Sequence, residues 1–232
     1  EEYARSWNGD GGIARYVLDR SAAENEAVII LEYAPHTMWR WLTDSPGRVD
    51  DVIDQVFQSI AMLRANGVVH FDAHFANVVT DGAAHLLTDF GLWLDSQFEL
   101  SAEERAFLQR HIDYDYGEVL MSAGDTLTWT FFLLPEGERE AIRRELGIHR
   151  TDGNAAIGRI LIARLEDLAG LMPVEGVLLE AVRRYRPVML FMSEFLSAMR
   201  SNPRKDTPFE ADILGRLLDE VGVDRVKGAG GV

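Results

Sequence analysis

The chain has 232 residues and no cysteine, so it can bury a core as one large domain or two small lobes, and disulfide and thiolate chemistry are excluded. Its net charge of −15 argues against a nucleic-acid partner, because such binding needs lysine and arginine to neutralise phosphates. No apolar run approaches the roughly 20 residues that span a bilayer, so we expect a cytoplasmic protein with no membrane partner.

The first part of the chain predicts an antiparallel pair of strands. β-Branched and aromatic residues are frequent in ARYVLD (14–19) and AVIILEY (27–33), and polar turn residues separate them. NGDGG (8–12) precedes the pair, and we interpret it as a turn rather than a phosphate-binding loop, since no lysine follows it before Lys205. Beyond Ala34 and Pro35 the pattern becomes helical.

A long helix and three short strands are predicted next. GRVDDVIDQVFQSIAMLRANG (47–67) has apolar residues at helical spacing and ends in Asn-Gly. The strands are GVVHF (67–71), ANVVT (76–80) and AHLLTD (84–89), with Asp81-Gly82 as the turn of the second hairpin.

The remainder of the chain has a mostly helical pattern. Ser101 and Glu104 predict a capping box for a helix that ends near residue 112. Further helices are predicted at 114–134, 136–146, 154–168, 174–186, 187–200 and 208–221, with Pro187 in a first helical turn. His111, Asp113 and Asp115 have two interpretations: a solvated helix face, or a cluster in which one aspartate braces the loop at 70–77.

Asp72, Asn77 and Asp89 form the most informative constellation. Asp72 and Asn77 share one loop, and the predicted hairpin returns the chain to the same place before Asp89. Two carboxylates and an amide oxygen at one point suit phosphoryl transfer, which needs hard oxygen ligands for Mg²⁺ and a carboxylate to orient the attacking hydroxyl. Gly91 would let the backbone turn away after Asp89 without a side-chain clash.

These residues resemble the motifs of the protein-kinase-like superfamily. HFDAHFAN (70–77) is similar to the catalytic loop H-x-D-x-x-x-x-N, and TDFG (88–91) is similar to the D-F-G element. The resemblance implies that Asp72 is the catalytic aspartate and that Asn77 and Asp89 bind Mg²⁺. It also implies that His70 is structural and packs under the D-F-G turn.

The segment ILEYA (30–34) resembles the hinge between the two lobes of that fold. The resemblance places Leu31 at the gatekeeper position, and it places the Glu32 carbonyl and the Ala34 amide at the adenine edge of ATP. Val79 would then lie beneath the adenine ring. The alternative interpretation of this segment is a buried strand with a polar end.

His74 departs from the protein-kinase pattern, in which a lysine usually stands two residues after the catalytic aspartate. The form D-x-H-x-x-N is similar to the aminoglycoside and choline phosphotransferase branch, so we group His74 with Asp72 in the predicted catalytic set. Glu2, in Glu2-x-x-x-x-Trp7-Asn8-Gly9, resembles the helix glutamate that pairs with the phosphate-anchoring lysine. No A-P-E element suited to a protein-substrate platform follows TDFG.

The resemblance implies an α+β, protein-kinase-like fold. Residues 1–34 would be a remnant of the N-lobe with part of its sheet, residues 35–226 a helical C-lobe, and residues 227–232 a flexible tail. The glycine-rich loop and ATP-anchoring lysine of that fold are not in the given sequence. We therefore expect residues before Glu1 in the gene product, and weak ATP binding by the chain as given.

The expected function is ATP- and Mg²⁺-dependent transfer of a phosphate to a hydroxyl group. A small-molecule acceptor is favoured, and a cationic one agrees with His74 and the acidic surface. The alternatives are a protein serine/threonine kinase, and a pseudokinase scaffold without turnover. We do not expect His70 and His74 to form a metal pair, because a four-residue spacing on a loop does not bring the two side chains together. We interpret Trp39 and Trp41 as core and groove wall rather than as a ligand cage.

Overall fold

A computed structural model describes residues 11–25, 30–168, 170–202, 204 and 206–225. The described chain is mixed α+β and mostly helical, with 62% helix and 6% strand. The helices are α1 (Gly11–Ser21), α2 (Met38–Asp44), α3 (Val49–Ala65), α4 (Ala102–Arg110), α5 (Tyr114–Leu133), α6 (Glu136–Leu146), α7 (Asn154–Ala163), α8 (Gly176–Ser201) and α9 (Ala211–Glu220). The strands are β1 (His36–Thr37), β2 (Val68–Val69), β3 (Val78–Thr80), β4 (His85–Leu87) and β5 (Leu94–Asp95).

Two small antiparallel sheets present the loop at 70–77. One sheet has the order β1-β3-β4, with Val78 opposite Leu87, and the other pairs β2 with β5. The β3–β4 hairpin turns at Asp81 and Gly82; Gly82 has φ +94°, a conformation that glycine adopts without strain. The three predicted strands at 67–71, 76–80 and 84–89 are confirmed as shorter segments, whereas β1 and β5 were not predicted.

The core is built around α5, on which α2, α3, α7, α8 and α9 pack. Two glycines of this helix allow close approach by its neighbours. A Cβ at Gly117 would lie 2.7 Å from Met192 Sδ of α8, and one at Gly124 would lie 2.9 Å from Ile162 Cδ1 of α7. Because much of α5 is buried, including Asp115, Glu118 and Ser122, the polar groups on its buried face must find partners inside the protein.

The predicted strand at 14–19 is wrong, because these residues lie in α1. Of the partner segment at 27–33, residues 27–29 lie outside the described residues, and residues 30–33 are not in a strand. A strand needs a neighbour for its backbone hydrogen bonds, whereas a helix satisfies them within the segment. Gly11 and Gly12 of the expected turn are helical, and residues 8–10 lie outside the described residues.

The helical predictions are confirmed with two corrections, the first of which concerns Pro187. Pro187 does not begin a new helix; it lies inside α8, which runs without a break from Gly176 to Ser201. The buried face of α8 includes Val182 and Tyr185 before Pro187 and Val188 and Met189 after it. Packing of this continuous face against α5 outweighs the hydrogen bond that proline removes.

The remaining boundaries agree closely with the predictions. α3, α5 and α6 match their predicted ranges, and α4 begins with the capping box of Ser101 and Glu104. The helix predicted at 154–168 is divided into α7 and a 3₁₀ turn at Leu165–Leu168, and a second 3₁₀ turn at Pro46–Arg48 precedes α3. Within the described ranges, no helix is long and apolar enough to cross a membrane.

Candidate active site

Asp115, in the first turn of α5, holds the start of the 70–77 loop. Its two carboxylate oxygens accept the backbone N–H groups of His70 and Phe71, each at 2.8 Å. Burial raises the pKa of Asp115, while the two backbone N–H groups lower it by stabilising the charged form. Asp115 is therefore the brace, and the solvated-face interpretation is wrong for it.

The brace holds a strained backbone conformation. Phe71 has φ +63°, in the left-handed region, which costs a side-chain-bearing residue roughly 1–2 kcal/mol. Two charge-assisted hydrogen bonds from the adjacent backbone to Asp115 offset this cost. Strain of this kind persists only where the surroundings over-determine the conformation, so the loop has a defined shape before any ligand binds.

His70 connects the loop to the TDFG turn. It is fully buried, its Nε2 lies 3.0 Å from the Thr88 carbonyl oxygen, and its Nδ1 accepts the Asp72 backbone N–H at 3.3 Å. These partners require the tautomer with the proton on Nε2. The His70 ring meets the Phe90 ring edge-on, with centroids 4.6 Å apart. Both ring nitrogens are engaged, so His70 is structural, as expected.

Asp72 lies between Asn77 and His74. Asn77 Nδ2 donates to Asp72 Oδ2 at 2.8 Å and to the Asp72 carbonyl oxygen at 3.0 Å. His74 Nε2 lies 3.3 Å from the other carboxylate oxygen, Oδ1. Asp72 and His74 are each partly exposed. The structure thus brings together three of the predicted site residues, with Asp72 Oδ1 facing the His74 side.

Asp89 reaches the same end of the loop through the hairpin. The Thr88 backbone N–H and hydroxyl both donate to the Asn77 carbonyl oxygen, at 2.8 and 3.0 Å, which places Asp89 one residue from this contact. Asp89 also has a left-handed backbone, with φ +56°. A Cβ at Gly91 would lie 3.1 Å from Asp89 Oδ1, so glycine accommodates this approach as the sequence predicted.

The side-chain oxygens of Asn77 and Asp89 are suited to binding a hard cation. Both hydrogen bonds of the Asn77 amide use Nδ2, and within the described residues neither Asn77 Oδ1 nor the Asp89 carboxylate has a hydrogen-bond partner. Carboxylate and amide oxygens are the ligands that Mg²⁺ prefers. No group of three His, Cys, Asp or Glu that could hold a metal occurs in the described part of the chain. The expected ligands are one amide oxygen, from Asn77, and one carboxylate, from Asp89. They would leave the other coordination positions of the cation to phosphate and water.

Glu118 is a site residue that the sequence reasoning missed. It lies one turn after Asp115 on α5 and accepts the Tyr114 hydroxyl at 3.2 Å. Burial, together with the charges of Asp72 and Asp115, raises its pKa to about 8. Burial, followed by the charge of Glu118, also raises the pKa of Tyr114.

The spacing of polar residues on α5 is a sequence signal that could have identified Glu118 as a site residue. Asp115, Glu118, Ser122 and Asp125 follow one another at spacings of three, four and three on an otherwise apolar helix, so they share one face. Ser122 Oγ accepts the Phe75 backbone N–H at 3.2 Å. These four residues form a polar stripe. Within it, Asp115 contacts the start of the loop and Ser122 contacts the loop near its end.

The two neighbours of Asp115 in the predicted cluster also have partners. Asp113 pairs with the buried Arg64 at 3.0 Å and with Arg225. His111 is buried, and its Nδ1 lies 2.8 Å from the Phe107 carbonyl oxygen. Neither residue belongs to a solvated face, and both fix the start of α5.

The structure does not bring the predicted nucleotide-contact residues together, in contrast to the residues of the 70–77 loop. Val79 lies in β3, opposite Thr37 and Leu86. Leu31 and Glu32 are exposed, with Leu31 74% accessible, and Ala34 is half-buried. Glu2 lies outside the described residues.

Pockets lie on both sides of the loop. On the His74 side, a pocket of ≈220 Å³ is bounded by Trp39, Phe75 and Asp125 among others. Trp39 stacks on Trp129 with centroids 5.0 Å apart, and Trp41 packs against His85, in agreement with the predicted groove-wall and core roles. On the Phe71 side, a more open pocket of ≈520 Å³ is walled by aromatic rings.

Comparison of the chain with family models, with curated proteins and with solved structures found no match. Arguments about function therefore rest on the geometry of the loop and the pockets beside it.

Proposed function

We propose that the protein is a cytoplasmic, ATP-dependent phosphotransferase with a protein-kinase-like fold, which moves the γ-phosphate of ATP to a hydroxyl group of a small molecule. The observation that carries the proposal is the convergence of Asp72, His74 and Asn77 on a loop braced by Asp115, with Asp89 one residue from the Asn77 contact. This set agrees in residue type, order and position with what in-line phosphoryl transfer needs.

In the proposed reaction the acceptor hydroxyl lies against Asp72 Oδ1, on the side of His74. Its oxygen attacks the γ-phosphorus, the bond from that phosphorus to the bridging oxygen of ADP breaks, and the hydroxyl proton passes to the Asp72 carboxylate. Asn77 keeps the Asp72 side chain oriented through its bond to Oδ2. Asn77 Oδ1 and Asp89 would hold Mg²⁺, which supplies charge neutralisation at the phosphates when bound.

Adenine would lie between the hinge segment and β3. Ile30, Leu31 and Tyr33 present apolar side chains that are 91%, 74% and 84% exposed. A flat apolar ligand is one way to cover such a surface. In this proposal the backbone of Glu32 and Ala34 meets the adenine edge, and Val79 lies beneath the ring.

A small-molecule acceptor is favoured over a protein by the size of the pocket next to His74. At ≈220 Å³ it is below the roughly 300–1,000 Å³ of pockets that hold drug-sized ligands. A protein serine or threonine remains the second acceptor class. A scaffold without turnover is favoured by one observation only, the absence of lysine before Lys205 in the given sequence.

The proposal is tested by titrating Mg·ATP into the full-length gene product beside its Asp89→Ala variant. We expect saturable binding that Asp89→Ala weakens at least tenfold, because the variant lacks a carboxylate ligand for the cation. Equal binding by both proteins, or no binding by either, would remove the enzyme from consideration in favour of the scaffold. Transfer of labelled γ-phosphate to hydroxyl compounds and to generic protein substrates then separates the two acceptor classes.

A further inference from the structure

Side chains of α5 bind the backbone of the 70–77 loop at two places. Asp115 accepts the first two N–H groups of the loop, each at 2.8 Å, and Ser122 accepts one further along it at 3.2 Å. Glu118 lies between them on the same helix face, three residues after the first and four before the second. Its side chain therefore faces the middle of the loop, beside Ala73.

Glu118 meets two hydrogen-bond donors inside the protein. It is only 5% exposed, and its Oε1 accepts the Tyr114 hydroxyl at 3.2 Å. The Ala73 backbone N–H is the second donor. Like the hydroxyl, it lowers the pKa of the carboxyl, although burial and the charges of Asp72 and Asp115 raise that pKa by more. Because Ala73 is fully buried, water does not replace Glu118 as the acceptor of this N–H.

The peptide bond between Asp72 and Ala73 is thereby held at both of its polar groups. Asn77 Nδ2 donates to its carbonyl oxygen at 3.0 Å, and Glu118 lies at its N–H. Because a peptide unit is planar, contacts at its two opposite sides fix its orientation. The Asp72 side chain branches from the atom at one end of this unit, so the direction of its carboxylate depends on how the unit is held.

The two contacts come from different parts of the fold. Asn77 belongs to the same loop as Asp72 and moves with it, whereas Glu118 is on α5, the helix around which the core is built. Glu118 therefore relates the peptide directly to the core. A leucine at this position would fill the space without the cost of burying a carboxyl group, but it would leave the N–H without an acceptor.

We propose that Glu118 is a positioning residue for phosphoryl transfer: it holds the Asp72–Ala73 peptide from the α5 side and so keeps the Asp72 carboxylate directed at the acceptor hydroxyl. The inference rests on the proposed phosphotransferase function. Glu118 acts through Ala73 and does not contact the reacting atoms. Tyr114 supports this role by holding one of the two carboxyl oxygens.

The contact with Ala73 is tested by NMR without any nucleotide. In the full chain, the Ala73 amide shift should titrate with a midpoint near the Glu118 pKa of about 8, because the acceptor of its hydrogen bond gains a charge there. Glu118→Gln should remove this titration. Glu138→Gln, at an exposed position of α6, should leave it in place. A shift that does not change near this pH in wild type, or that titrates equally in Glu118→Gln, overturns the proposal.

The positioning role is tested by the kinetics of the full-length gene product. Glu118→Leu removes the acceptor and should lower kcat roughly 10- to 100-fold, the loss that a small misplacement of a reacting group produces, with little change in KM for Mg·ATP. Glu118→Gln keeps an uncharged acceptor oxygen and should recover most of that loss. Ser122→Ala is the matched control: it also removes a loop contact, but at Phe75, three residues from Asp72, so it should lower kcat less.

The outcomes separate this proposal from the proposed function. Phosphoryl transfer with kcat unchanged in Glu118→Leu, or lowered equally in Ser122→Ala, overturns the positioning role and leaves the phosphotransferase standing. No transfer by wild type contradicts the phosphotransferase, and the positioning role falls with it even where the Ala73 shift titrates. Thermal unfolding shows whether Glu118→Leu is folded at the assay temperature; if it is not, the wild-type and Glu118→Gln titrations still decide whether the contact exists.

Discussion

Glu118 is the residue whose environment makes the sharpest prediction about stability. It lies on α5 beside the 70–77 loop, and one of its carboxylate oxygens accepts the Tyr114 hydroxyl. This hydroxyl and the Ala73 backbone N–H lower its pKa by less than burial raises it. Burial and the nearby charges of Asp72 and Asp115 raise its pKa to about 8, from an ordinary value of 4.5. The folded protein therefore keeps a proton on Glu118 at pH values where the unfolded chain has lost it.

The sign of the effect follows from proton linkage. Between pH 4.5 and about 8 the folded state binds one more proton than the unfolded state, so the free energy of unfolding falls as the pH rises. The window from pH 5 to the folded pKa of about 8 spans roughly three pH units. At about 1.4 kcal/mol per unit, Glu118 alone would remove on the order of 4 kcal/mol of stability across it.

Replacing Glu118 with glutamine isolates this contribution. Glutamine has the shape of the protonated acid and can still accept the Tyr114 hydroxyl, so Glu118→Gln and wild type should have similar stability at pH 5. At pH 9 the variant should be more stable by on the order of 4 kcal/mol, since it has no charge to bury. Urea unfolding followed by tryptophan fluorescence, from pH 5 to pH 9, measures the difference directly.

Glu138→Gln is the matched control, because Glu138 is exposed on α6 and its replacement should leave the pH dependence of wild type unchanged. Parallel stability curves for wild type and Glu118→Gln, separated by less than about 1 kcal/mol at every pH, would refute the reasoning. Such a result would mean that Glu118 is ionised in the folded protein and that water or a cation reaches it.

Three further predictions concern the groups that shape the site. Asp115→Asn should lower the free energy of unfolding by about 2–4 kcal/mol, because an amide accepts only one of the two buried backbone N–H groups; wild-type stability in urea would contradict it. Ser101→Ala should cost about 1 kcal/mol by removing the cap of α4, and a circular dichroism melt unchanged from wild type would exclude that cap as a contributor. Gly82→Ala should cost about 1–2 kcal/mol, because alanine is strained at a positive φ; a variant as stable as wild type would mean that the hairpin turn can adopt another conformation.

Local sequence signals predicted the parts of the site that local interactions build. The hairpin between Asn77 and Asp89 was predictable because Asp81-Gly82 specifies a turn between two short apolar segments. The capping box of α4 was predictable because its partners are three residues apart. Asp72, His74 and Asn77 meet on one short loop, so their proximity depends on little else.

The brace could not be assigned from the sequence because it joins distant segments. Asp115 and His70 are 45 residues apart, and the pattern around Asp115 favoured a solvated helix face. The predicted strand at 14–19 failed for a related reason. β-Branched residues favour a strand only when a neighbour is present to pair with it, and the described residues provide none there. The helix boundary predicted at Pro187 was wrong because tertiary packing of α8 outweighed the local helix-breaking preference of proline.

The polar stripe of α5 is itself an argument for function. A helix that only filled the core would place apolar residues at the buried positions of Asp115, Glu118 and Ser122, since burying a carboxylate costs free energy that an apolar side chain does not. Burial raises the pKa of Glu118, which expresses that cost. For Asp115 the cost is offset by the two backbone N–H groups of the loop. The buried polar groups lie on the helix face that contacts a strained, carboxylate-bearing loop, and this arrangement supports the proposed chemistry at that loop.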